Sequence, residues 1–148
     1  MFLLLLSNKT AQFNASCFER RLQLKGWKKL LPNLNRGDFS TNFGDIELKM
    51  SFPNLGKKIN LRQIRIWQPC NYVVVYCDYI NFNHKVYFLS HEQMAQEIKT
   101  MGSATHGTSQ ANKYNLNIEE SVTLSIDNIW VSKYFNLELK KFIFSDLN

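Results

Sequence analysis

The chain has 148 residues, a hydrophobic fraction of 45% and an aromatic fraction of 14%, which excludes a disordered chain and is enough for one domain with a packed core. No repeat or low-complexity segment divides it. Its formal net charge of +6 tilts the choice of partner toward polyanions, because a positive surface attracts phosphates and gains counterion release when it neutralises them.

The opening MFLLLLSNKT lacks a basic n-region and a small-residue cleavage site, so residues 1–10 read as an N-terminal arm or strand, or as the remnant of a longer start, and not as a signal peptide. No stretch is long enough to span a membrane. Cys17, Cys70 and Cys77 are odd in number and lack zinc-ligand spacing, which fits reduced, structural thiols in a cytoplasmic protein. From about residue 11 to residue 31, Ala15, Phe18 and Leu22 fall at helical spacing, with Arg20 and Arg21 opposite, until Pro32 and Asn33 end the element. Two strands follow, near 36–41 and 45–52, joined at NFG, whose Asn and Gly accept the positive φ of a hairpin turn.

Asn60 is placed to cap a short helix that carries Leu61, Ile64 and Trp67 on one side and Arg62, Gln63 and Arg65 on the other, and that Pro69 stops. YVVVYCDY, residues 72–79, is a strand buried on both faces, and VYFL is its neighbour. Ser90 with Gln93 three residues on forms a capping box opening a helix that Gly102 closes. Residues 102–117 form a long polar loop; SVTLSI and IWVSKYF read as strands, and the tail as a helix or a strand. His84 is expected in a turn and His91 in the first turn of a helix. The sum is one mixed α/β domain over residues 1–148, a central mixed β-sheet flanked by helices.

The stretch NRGDFSTNFGDIELKMSFP concentrates acids on what reads as a hairpin. Asp45, Glu47 and Lys49 alternate with Ile46, Leu48 and Met50, so one reading is the solvated face of an amphipathic strand. The other is a metal site. Glu47 and Lys49 project side by side, Asp38 faces them across the hairpin, and two carboxylates suit Mg²⁺, which takes one or two protein carboxylates plus waters and phosphate oxygens.

Asp38, eight residues, then Glu47-Leu48-Lys49 resembles the signature of the PD-(D/E)xK nuclease superfamily. Gly37 stands where the superfamily carries proline. The preceding helix with Glu19 is similar to the helix that supplies an extra acid there. The order CFERRLQ, RGD, ELK, LRQIRIWQ, then a buried strand, resembles type II restriction endonucleases from about Gln12 to Ile126. The resemblance implies a restriction-endonuclease-like fold and a Mg²⁺-dependent, sequence-specific double-strand DNA endonuclease. Asp38, Glu47, Lys49 and Glu19 are its expected catalytic residues, and Asp38 and Glu47 its metal ligands, with Asp45 as an alternative first acid. It also implies a homodimer acting on double-stranded DNA and functional pairing with a DNA methyltransferase.

Arg62 and Arg65 are expected at phosphates, and the resemblance implies a site-lining role for Gln63. In the loop, His106, Thr108, Ser109, Gln110, Asn112 and Lys113 offer donors and acceptors for base edges. Polar loops and charged helix faces are also ordinary solvated surface. Three alternatives stand beside the restriction enzyme: a repair or junction nuclease of the same superfamily, a non-catalytic basic module that binds nucleic acid in a salt-sensitive way, and a structural or interaction protein that binds no DNA at physiological salt.

Overall fold

The computed structural model describes residues 11–56, 58–101, 104–105, 121–127 and 132–145. In chain order these form α1 (Ala11–Leu24), β1 (Lys28–Lys29), a 3-10 turn at Pro32–Leu34, β2 (Phe39–Thr41), β3 (Gly44–Ser51), β4 (Lys58–Ile64), β5 (Asn71–Tyr76) and β6 (Lys85–Leu89). Then come α2 (His91–Met101), β7 (Ala104–Thr105), β8 (Val122–Asp127), a 3-10 turn at Ser132–Tyr134 and α3 (Leu137–Phe144). The molecule is a mixed α/β structure. A five-stranded mixed sheet runs β1-β2-β3-β5-β6, and a three-stranded antiparallel sheet runs β4-β8-β7.

Strand β5 organises the core. Its VVV run lies between β3, to which it is parallel, and β6, to which it is antiparallel, so both faces are covered. Val73 and Val75 point to a cluster with Phe18 and Leu22 of α1 and Leu139 and Ile143 of α3. Tyr72, Val74 and Tyr76 point the other way, to β4, β8 and the Met94 and Ile98 side chains of α2. Each fully buried side chain of this size contributes roughly 1.5–3 kcal/mol. The Ser90 capping box is formed as the sequence implies: Ser90 N donates to Gln93 Oε1 at 2.9 Å and Gln93 N to Ser90 Oγ at 3.1 Å.

Several expectations need correction. Helix α1 stops at Leu24, well before Pro32. Gly26 adopts φ +107°, Trp27 N donates to Leu22 O at 3.0 Å and Gly26 N to Gln23 O at 3.0 Å, a Schellman closure. In the β2–β3 turn, Gly44 takes φ +87° but Asn42 does not take a positive angle; Thr41 Oγ1 braces the turn by accepting from Phe43 N at 2.9 Å. The helix expected at Asn60 is strand β4, so the crossover between the parallel strands β3 and β5 runs through a strand of the second sheet. A bulge between Leu61 and Ile64 turns both inward, and that three-residue spacing imitates a helix.

Of the strand expected at IWVSKYF, residues 129–131 lie outside the described residues, and the rest is a 3-10 turn over Ser132–Tyr134, after which Phe135 makes an isolated bridge to Tyr87. Of the loop expected at 102–117, Ala104–Thr105 pair with β8; the rest lies outside the described residues, as do residues 1–10. The tail is helix α3, with Asn136 Oδ1 accepting from Leu139 N at 3.0 Å. Among the described residues no helix is long and apolar enough to cross a membrane.

Candidate active site

Strand β3 pairs with β2 only as far as Ile46, which leaves its edge open beyond that point. Asp38 fills the gap. Its N–H donates to Ile46 O at 2.7 Å, its Oδ2 accepts from Leu48 N at 2.8 Å, and its own carbonyl accepts from Leu30 N at 2.8 Å. This close approach depends on Gly37, which has φ +97° and whose missing Cβ would lie 2.8 Å from Ile46 O. Proline, locked near φ −65°, has no access to that conformation. Gly37→Ala is expected to cost at least about 2 kcal/mol, because it combines left-handed strain with a clash against fixed backbone. Urea unfolding measures it; unchanged stability would mean that Asp38 is not held by this approach.

The face of β3 that carries Asp45, Glu47 and Lys49 is not a solvated one. It shares its direction with Tyr72 and Val74 and is covered by β4, leaving Glu47 only 8% exposed. Burial pushes the Glu47 carboxyl up to about 7; Lys49 pulls it down, and Asp38 pushes it up again through charge and hydrogen bonding. Glu19, on α1, is raised by burial, lowered by its bond to Lys29 at 3.0 Å and raised by the same Asp38. Asp38 thus links the two glutamates, and three acids from a helix, a loop and a strand meet at one end of the β2–β3 hairpin.

Lys49 Nζ lies 3.7 Å from the Glu47 carboxylate and donates to Arg62 O at 2.9 Å and Gln63 O at 3.0 Å. It ties the two sheets together and places a cation beside the acids. Arg65, exposed, also lowers Glu47. Asp45 is engaged elsewhere: Arg36 Nε and Nη2 both reach its Oδ2, at 2.7 and 2.6 Å.

Arg62, Gln63 and Arg65 are all exposed, on β4 and its exit and not on a helix, so Arg62 and Arg65 are not one helical turn apart. Arg62 and Lys49 border a groove of about 360 Å³ completed by Ser51, Phe52, Asn54 and Asn60. His106, Thr108, Ser109, Gln110, Asn112 and Lys113 lie outside the described residues. His91 begins α2, with its Nε2 2.6 Å from Ile66 O, and His84 is packed against Phe144 with ring centroids 4.4 Å apart. Burial raises the Cys70 and Cys77 thiols to about 12, which makes them inert.

Sequence reasoning missed Lys29, Arg36 and the two β4 carbonyls. Gly37 was the one available signal, since a glycine before an acid at a strand entrance marks a close backbone approach.

Among the described residues no three His, Cys, Asp or Glu side chains are arranged to hold a metal by themselves. Asp38 and Glu47 nonetheless fit a hard divalent cation of the Mg²⁺ type. The donors are all oxygen, such an ion needs only one or two protein carboxylates, and a buried acid crowded by another acid gains most from a cation. Comparison with family models, with curated proteins and with solved structures gave no match.

Proposed function

We propose that this chain is a Mg²⁺-dependent double-strand DNA endonuclease of the type II restriction kind, with a restriction-endonuclease-like core. One observation carries the reading: Asp38, Glu47 and Glu19 are brought together with Lys49 beside a buried, proton-retaining Glu47, a costly arrangement for a merely structural surface.

Asp38 and Glu47 would hold the ion, which when bound polarises the phosphoryl group and acidifies water. The β4 carbonyls take two of the N–H groups of Lys49, and a remaining one is available to a phosphate oxygen whose charge grows during hydrolysis. Glu19 adds a second-line acceptor, held by Lys29. Arg62 and Arg65 supply cations for neighbouring phosphates, and their loss should weaken binding on all sequences. A homodimer, cutting one strand per site, and a companion methyltransferase belong to the same proposal.

Lys49 also favours a second reading. Its two bonds to β4 join the sheets and give it work without any chemistry, as in a non-catalytic basic module. A repair or junction nuclease differs again, in cutting by structure and not by sequence.

Incubation of plasmid and genomic DNA with protein and Mg²⁺, followed by sequencing of the ends, separates the three. Discrete, reproducible ends support the restriction reading, structure-dependent ends the repair reading, and salt-sensitive binding without cleavage the module. Within the nuclease reading, Asp38→Asn should lower cleavage by at least about 10²-fold, whereas Asp45→Asn loses only an ion pair and should stay within about threefold of wild type. The reverse result would transfer the first acid to Asp45.

A further inference from the structure

The register of β4 against β8 contains one extra residue. Leu61 faces Leu124 and Ile64 faces Val122, so three steps on one strand match two on the other. The irregularity centres on Gln63, whose φ of +54° is left-handed. Both flanking apolar side chains, Leu61 and Ile64, are fully buried, while Arg62 and Gln63 are exposed together.

Successive carbonyls of a regular strand point to opposite sides, so a single amine cannot donate to two of them in sequence. At the bulge they converge: Arg62 O and Gln63 O lie 2.9 and 3.0 Å from Lys49 Nζ. The same amine sits 3.7 Å from Glu47. Two carbonyl acceptors on one side fix the direction of the amine, leaving one N–H for a ligand.

We propose that Gln63 is a positioning residue that acts through its left-handed backbone and not through its side chain: the bulge it makes is the cradle that orients the Lys49 amine beside Glu47. The catalytic consequence rests on the nuclease reading; the cradle itself does not. A side chain aimed at a base edge predicts a different dependence, since such a residue works through its amide and is indifferent to φ.

The test uses three variants of the full chain. Gln63→Gly and Gln63→Asn accept positive φ, whereas Gln63→Val, β-branched, resists it. Two quantities are read: labelling of Lys49 by an amine-reactive ester, followed by mass spectrometry, and single-turnover cleavage at saturating DNA alongside affinity in Ca²⁺. Gln63→Gly and Gln63→Asn should label and cut within about threefold of wild type. Gln63→Val should expose Lys49 to faster labelling and cut at least about tenfold more slowly, with affinity unchanged, as expected when a catalytic group is misaligned.

Loss of cleavage in Gln63→Gly as large as in Gln63→Val would overturn the proposal in favour of the side chain. Wild-type labelling in a folded Gln63→Val would overturn it outright. Should Gln63→Val fail to fold by circular dichroism, Gln63→Gly decides: retained protection of Lys49 without any side chain supports the cradle, and lost protection refutes it. If wild-type protein cuts no DNA, the nuclease reading fails while the labelling results still judge the cradle.

Discussion

Glu47→Gln is expected to abolish cleavage and, in metal-free buffer at pH 8, to make the protein more stable. The two effects have one cause. The Glu47 carboxyl titrates at about 7 in the fold against 4.5 in its ordinary state, chiefly because it is buried. Its contribution to stability is therefore complete below about pH 4.5 and is lost as the pH rises through 7. At pH 8 the folded chain carries a buried charge that costs roughly 3 kcal/mol relative to the unfolded chain. Glutamine keeps the shape and removes the charge, so the variant escapes that cost. It also lacks the charge that a divalent ion needs, and cleavage should fall by at least about 10²-fold. Urea melts at pH 5 and pH 8 measure the first effect. The variant and wild type should be close at pH 5 and diverge at pH 8, and Mg²⁺ should stabilise wild type more at pH 8 than at pH 5 while leaving the variant nearly unmoved. A variant less stable than wild type at pH 8 would show that Lys49 and Arg65 compensate the charge, and that this acid is an ordinary ion-pair partner.

Much of the scaffold was legible because periodicity survives translation into packing. Phe18 and Leu22 sit four apart and face one cluster, the Val73–Val75 run is covered on both sides, and the Ser90–Gln93 capping box is formed. What failed did so where local chemistry replaced periodicity. The Gly26 closure ended α1 inside a pattern that still looked helical, and the extra residue at Gln63 gave Leu61 and Ile64 a helix-like separation on a strand. For the candidate site, the spacing from Asp38 to Glu47 and Lys49 and the presence of Glu19 on the first helix could be read directly. The wet or dry character of the β3 face could not, because β4 covers it from a second sheet whose pairing partner, β8, is some sixty residues away in sequence. Nor could the cradle of Lys49, since backbone carbonyls carry no residue-specific signature.

Lys49→Met should fold, bind DNA in Ca²⁺ within a few-fold of wild type, and cut at least about 10²-fold more slowly in Mg²⁺, on the scale of losing one electrostatic stabiliser. Methionine retains most of the apolar stem, so the packing between the sheets is largely preserved. The two carbonyls that lose their donor belong to exposed residues, Arg62 and Gln63, and can turn to water, which limits the stability loss to about 1–2 kcal/mol. Three roles for Lys49 then separate by measurement. A catalytic amine acts on charge that develops only in the transition state, so the single-turnover rate falls at saturating DNA while affinity holds. An amine that merely contacts phosphate gives weaker binding, a salt dependence reduced by about one counterion, and a rate restored by excess DNA. An amine that only ties β3 to β4 gives a larger stability loss, and a cutting rate that recovers when the temperature is lowered far enough to keep the variant folded. Near-wild-type single-turnover cleavage by folded Lys49→Met would remove the lysine from the active site and leave Asp38 and Glu47 without the cation that completes the motif.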